Sequence, residues 1–387
     1  MVRLGLLLAL QASCGRIAFD PGGTRVVEAS DSVGFSTSSD TFVDVPSGRV
    51  DFTSDGADQT WVILVSAAIG STSATEQAAE VRYLIDGVER GYGGAQTSAP
   101  DNREAFVGFD VLRGVAGPHT VQLQLRDAAA QTSTISEIHL VAFSLPSDAD
   151  AWFADGPSMI SVPAGWAPYL TLDVIPPRPA DYLVLGAASI SEVPGASNVY
   201  ARVRDPSGAL WPSPDGHYYN HRACWYQFIW ARTAHLDAAG AFTIDGNDNN
   251  IEGTMRYPRL LAIRTDAFDA IESAFDLDAT TTMSTSGEVK SQLTTAEPPQ
   301  PRDYVLLQNV AFNINTTGFE HGAIFEHDGV VADSYQFDTA SAGNTAGVVD
   351  AFRSAAPIAL DTRVFVSDSS ILTTSYESII LALRLRP

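Results

Sequence analysis

Apolar residues gather in runs of seven to ten, with turn-forming clusters between them. TWVILVSAAI (60–69), DYLVLGAASI (181–190) and DYVLLQNVAF (303–312) are three such runs. EIHLVAFSL (137–145), RLLAIRT (259–265) and SIILALRL (378–385) are three more. Runs of this length, rich in Val, Ile and Leu, predict central strands of β-sandwiches. Val121, Leu123 and Leu125 alternate with Gln122, Gln124 and Arg126, which predicts a strand with one wet face. Asp86-Gly87 and Asp328-Gly329 are hairpin signals, since both residues tolerate positive φ. Asp205-Pro206-Ser207-Gly208 is a turn whose φ is preset by proline. The best helical pattern is DAFDAIESAF (266–275), which predicts one short connecting helix.

The runs repeat. Trp61, Tyr182 and Tyr304 open equivalent strands, 121 and 122 residues apart. Asp86, Asp205 and Asp328 mark the same later turn, 119 and 123 apart, and Ala142, Ala262 and Ala382 lie in the closing strands, 120 apart each time. A period this long makes each copy a domain with its own core rather than a solenoid repeat. The chain therefore reads as all-β, with three tandem antiparallel sandwiches at about 31–147, 157–265 and 280–387 behind an N-terminal segment, 1–30. Pro146–Gly156 and Thr265–Thr280 read as short connectors. In the closing SIILALRLRP, Ile379, Leu381 and Leu383 are expected to face the sandwich core. Ile380 and Ala382 are apolar too, and imply a second buried face that needs a covering sheet or a partner chain.

The layout of the first copy runs TFVDVPSGRVDF, TWVILVSAAI, VRYLIDG, GPHTVQLQLRD and IHLVAFSL. It resembles the jelly-roll modules of bacteriophage virion proteins: head fibres, decoration proteins and tail-associated proteins. Bacterial surface proteins carry similar modules, and trimeric jelly rolls of the tumour-necrosis-factor and C1q type are a more distant likeness. The resemblance spans all three copies, is clearest in the first, and brings no catalytic motif with it. It implies a non-enzymatic virion surface protein, with capsid or tail proteins as partners and three copies of the chain around a threefold axis.

Charge changes the picture in one respect. Acidic residues outnumber basic ones 46 to 23, a net charge of −23, which disfavours nucleic-acid binding. The two cysteines, Cys14 and Cys224, imply neither a disulfide framework nor a zinc finger. MVRLGLLLALQASC opens the chain, and its apolar run is far short of the roughly 20 residues of a membrane span. Leu6, Leu7, Leu8 and Leu10 are expected to form an anchoring arm on a neighbouring virion protein. Alternatively the segment is a secretory signal ending in a lipid-bearing Cys14, which would place the chain on a cell envelope or outside the cell.

The second copy carries an aromatic insert with Trp211, His217, Tyr218, Tyr219, Trp225 and Tyr226. Rings beside polar groups can stack on sugars of host surface glycans; the competing reading is packing at a core or subunit contact. Asp245, Asn247 and Asn249 match the first three ligand positions of a calcium loop, but Asn250 replaces the required glycine and Arg256 the closing acid. No nucleophile, metal-protease, phosphate-loop or dinucleotide motif occurs. No cofactor is implied. The expectation is a virion structural protein, possessing no enzymatic activity, that contacts host glycans; the alternative is an exported lipoprotein or adhesin whose sandwiches bind glycan or protein.

Overall fold

A computed structural model of the chain describes residues 25–56, 59–71, 79–95, 103–129, 131–191, 198–211, 217–220, 225–248, 253–276, 280–314, 321–337, 343–370 and 372–387. The N-terminal leucines, Leu6, Leu7, Leu8 and Leu10, lie outside the described residues, as do Cys14 and Cys224.

The first sandwich contains β1 (Val26–Asp31), β2 (Phe35–Thr37), β3 (Val43–Ser54), β4 (Thr60–Ser71), β5 (Ala79–Ile85), β6 (Val88–Ala95), β7 (Glu104–Arg113), β8 (Gly117–Asp127) and β9 (Ser133–Ser144). The second contains β10 (Ala151–Asp155), β11 (Ile160–Val162), β12 (Ala167–Val174), β13 (Ala180–Ser191), β14 (Asn198–Arg204), β15 (Leu210–Trp211), β16 (His217–Asn220), β17 (Tyr226–Leu236), β18 (Gly240–Asp248) and β19 (Gly253–Arg264). The third contains β20 (Phe268–Asp276), β21 (Thr280–Thr282), β22 (Glu288–Thr294), β23 (Arg302–Ile314), β24 (His321–His327), β25 (Val330–Phe337), β26 (Gly343–Ser354), β27 (Ala359–Val366) and β28 (Thr373–Leu385).

Each sandwich has two antiparallel sheets, and the three share one strand order. The inner sheets run β1-β9-β4-β7, β10-β19-β13-β17 and β20-β28-β23-β26. The outer sheets run β3-β8-β5-β6, β12-β18-β14-β15 and β22-β27-β24-β25, with β16 pairing β14 beside β15. This is the jelly-roll order, in which chain neighbours are divided between two facing sheets. The repeat landmarks coincide in register: two residues after Trp61, Tyr182 and Tyr304, the strand pairs Ile63 with Ala142, Val184 with Ala262 and Leu306 with Ala382. The turns at Asp86 and Asp328 have φ of 52° at Asp and 80° and 76° at the following Gly, as a tight hairpin requires.

The uninterrupted apolar runs have a specific cause. Every residue of β4 is buried, so both faces of this strand are covered. Trp61, Ile63 and Val65 point into their own sandwich, while Val62 and Leu64 point into a core shared by all three. Leu183 and Leu185 of β13, Val305 and Leu307 of β23, and Phe109, Ile229 and Val349 join that shared core. The chain thus closes its three inner sheets on one another. Ile379, Leu381 and Leu383 lie in the shared core, and Ile380 and Ala382 face the sandwich interior, the reverse of the sequence expectation. The second apolar face that implied a partner chain is covered by the chain's own other sandwiches.

Two further expectations need correction. Residues 266–275 form no α-helix: a short 3-10 turn, Thr265–Ala267, leads into β20. A bulge between Phe268 and Ala270 shifts the inward–outward alternation, which makes this strand mimic a helical period. The connectors also carry structure, with β10 inside 146–156 and β20 inside 265–280; β1 begins at Val26, within the N-terminal segment.

Gly91 of β6 lies flat against the Tyr83 ring, where any Cβ would overlap the ring. Gly91→Ala should cost about 1–3 kcal/mol through overpacking, read as a lowered midpoint in thermal unfolding. An unchanged midpoint would show that the ring is free to move.

Candidate functional site

Polar side chains interrupt the apolar strands at a few places, and these places mark where the sandwiches meet. β7, β17 and β26 are the edge strands of the three inner sheets, and each packs against the other two. Edge strands expose backbone groups that need partners when buried. The partners come from the next sandwich, in cyclic order. Val107 N donates to Gln227 Oε1 at 2.8 Å, from the second sandwich to the first. Val349 N donates to Ser66 Oγ at 3.1 Å, from the first to the third. Asn309 Nδ2 donates to Ile229 O at 3.2 Å, from the third to the second.

Charged positions follow the same cycle. Three residues before the landmark alanines stand His139, Arg259 and Ile379. On the edge strands, the register partners of Ile63, Val184 and Leu306 are Asp110, Arg232 and Asp350. Arg259 reaches Asp110 at 3.3 Å, and His139 lies 3.9 Å from Asp350. The third pair of positions holds Ile379 and Arg232. Burial lowers the Arg232 pKa, with Glu377 opposing that shift.

The first seam, between sandwiches one and two, is a buried network. Asp110 is fully buried and accepts from Arg90 Nε and Nη2 at 2.7 and 2.9 Å. Arg90 and Arg259 also reach Asp155 at 2.6 and 3.2 Å. Hydrogen bonding to Asp110 raises the Arg90 pKa above its ordinary value. Arg259 Nη1 donates to Tyr83 Oη at 2.9 Å, and burial pushes the Tyr83 hydroxyl well up. Beside this network is a small cleft lined by Tyr83, Tyr92, Ser189, Gln227, Tyr257 and Arg259 among others.

The aromatic insert ends at this seam. Trp225 meets Tyr92 edge-on at 5.9 Å, and the Arg256 guanidinium sits 4.2 Å from the Tyr92 ring and 4.5 Å from the Trp225 ring. Trp211 is a core residue, buried against Phe242 at 5.9 Å. It is therefore unavailable to a glycan. The backbone of His217, Tyr218 and Tyr219 lies in β16, in register with Ala201, Tyr200 and Val199, and Tyr226 opens β17. Their side chains lie outside the described residues, as do residues 212–216 and 221–224. The structure thus brings Trp225, but not Trp211, to a contact between sandwiches.

Asp245 belongs to an arginine clamp and not to a cation loop. It is fully buried between Arg204 at 2.8 Å and Arg202 at 3.5 Å. Asn247 Oδ1 accepts from Gly165 N at 2.8 Å, and Asn249 lies outside the described residues. Among the described residues no three His, Cys, Asp or Glu are grouped to hold a metal. Above the clamp, on the outer sheet of the second sandwich, Trp166 covers Arg202 at 3.7 Å and stands 6.1 Å from Tyr200.

Sequence reasoning missed the seam residues Ser66, Gln227, Asn309, Arg259, His139 and Asp350. Their signal was a polar side chain inside a run that is apolar on both faces, recurring at the repeat spacing.

No family model matches the chain, and no curated protein does. Several solved structures are similar. PNGF-II is 8% identical, with a TM-score of 0.28, over 84% of this chain and 98% of its own. An archaeal virus protein with a triple jelly-roll fold and turret assembly is 9% identical, with a TM-score of 0.22, over 96% of this chain and 89% of its own. A tandem CBM22 domain from Paenibacillus barcinonensis is 9% identical, with a TM-score of 0.20, over 66% of this chain and 99% of its own. Scores this low carry no functional argument, and the fold rests on the chain's own strand order. Among the described residues no helix is long and apolar enough to cross a membrane.

Proposed function

We propose that the chain is a non-enzymatic structural protein of a virion surface, a capsid decoration or head-fibre component or a tail-associated one. The observation that supports this reading best is the closure of three jelly rolls on one shared core within a single chain. Such a body can occupy a threefold position of a symmetric assembly while presenting three chemically different outer faces to its neighbours. Its net charge of −23 keeps copies apart and disfavours contact with nucleic acid. The inner faces are already used, so contacts with other virion proteins fall to the outer sheets and the N-terminal segment. Mass spectrometry of density-purified particles should find the chain in fixed ratio to the main shell protein. Its absence from particles, with recovery in envelope fractions, would reject the reading in favour of the exported lipoprotein.

A second reading, glycan binding, draws support from Trp166. This ring is 36% exposed, held from beneath by Arg202 and flanked by Tyr200. An exposed, rigidly backed ring beside hydrogen-bonding groups suits the apolar face of a sugar. Glycan-array binding that is lost in Trp166→Ala supports this reading; binding unchanged by the substitution removes the face as the contact.

A further inference from the structure

We propose that the seam between the first and third sandwiches is a pH-operated latch, closed at acidic pH and loosened at alkaline pH. Sandwiches one and two are joined by the few residues between β9 and β10, and two and three by the turn between β19 and β20. Sandwiches one and three share no such connector, so their seam is the one that closes the ring.

At the same structural position, the first seam uses a permanent charge and this seam uses a titratable one. Arg259 faces Asp110 in one, and His139 faces Asp350 in the other. An arginine keeps its charge across the accessible range, and a histidine does not. The titratable groups around His139 come from β24, β25, β26 and its own strand, while its register partners on β1 and β4 are the uncharged Ser30 and Ser66. Asp333 of β25 is 3.3 Å from Nε2 and Asp350 of β26 is 3.9 Å from Nδ1. Glu137 lies two residues away on β9, held by Arg103 at 3.6 Å. His327 of β24 shares Asp350 at 3.5 Å and bonds Gln308 Oε1 at 2.7 Å. Asp333 is 1% exposed, and its ion pair with His139 compensates the buried charge.

Both titrations act in one direction. Burial opposes the charge of His139, but its hydrogen bond and attraction to Asp333, with help from Asp350 and Glu137, hold its pKa above the ordinary 6.5. A raised histidine pKa contributes stability that is complete below 6.5 and lost as pH rises through the folded value. Burial, then Asp333, pushes the Glu137 carboxyl up to about 7. Its stabilising contribution is complete below its unfolded value near 4.5 and fades up to about 7. Alkalinisation therefore removes the positive charge and adds a negative one beside buried Asp333. The hydrogen bond that bridges this seam is the buried one from the Val349 amide to Ser66, and opening it would uncover the shared apolar core.

Hydrogen–deuterium exchange of the full chain, corrected for intrinsic rates, tests this at pH 6 and pH 9. Peptides covering Val349 should lose at least about tenfold protection at pH 9, while those covering Val107 at the arginine seam stay level. His139→Arg should abolish the loss. Glu137→Gln, a milder change, should move the loss to higher pH. Equal protection of Val349 at both pH values in the unaltered chain would overturn the latch, whatever the variants do. A His139→Arg variant that keeps the full loss would overturn the role of His139. Neither result bears on the virion reading, which stands on particle composition.

Discussion

Asp110→Asn lowers the unfolding free energy by about 3–5 kcal/mol, the cost of breaking a buried ion network from one side. Asp110 has no exposed surface and receives two hydrogen bonds from Arg90. Arg259, itself 3% exposed, approaches the same carboxylate. Asparagine preserves the volume but turns an anion into a neutral amide. Two guanidinium groups then share Asp155 alone, and one Asn NH₂ group points at a cation. Urea titration measures the effect. A loss below about 1 kcal/mol would place the network among exposed pairs of little worth, and would mean that the first seam opens to water.

The second large effect belongs to the shared core. Phe109 is fully buried among residues from all three sandwiches. Phe109→Ala should cost about 3–5 kcal/mol, from lost burial and the cavity left behind. Because the cavity lies where the sandwiches meet, the three should still unfold together, in one transition shifted to lower temperature. Calorimetry separates the outcomes. Loss of one third of the unfolding enthalpy in an early, separate transition would show that the sandwiches hold together only weakly.

The sandwich class, the threefold repetition and the landmark register were legible because alternation and turn chemistry act locally. Ile63 pairs with Ala142 for the same reason that Leu306 pairs with Ala382: each copy repeats the spacing that sets its register. What covers a doubly apolar strand is a long-range matter. SIILALRL shows two apolar faces but not which faces inward, since Ile379 and Ile380 have equal claim by hydrophobicity. The three copies carry the same double burial, and that coincidence was the available sign that they close on one another. The helix expected at 266–275 failed because one bulge changes the phase of a strand. Trp211 failed as a sugar contact because an aromatic next to Pro and Gly looks exposed in sequence, while its ring completes the core against Phe242. The seam residues escaped because each is a lone polar residue whose partner is 80 to 283 positions away, as Ser66 is from Val349.

The central claim is that the threefold arrangement is completed inside one chain, leaving no inner sheet for a second copy to cover. Light scattering coupled to size-exclusion chromatography tests it at micromolar concentration. The expected mass is that of one chain, unchanged on dilution. A stable mass of three chains, unchanged on dilution, would contradict it.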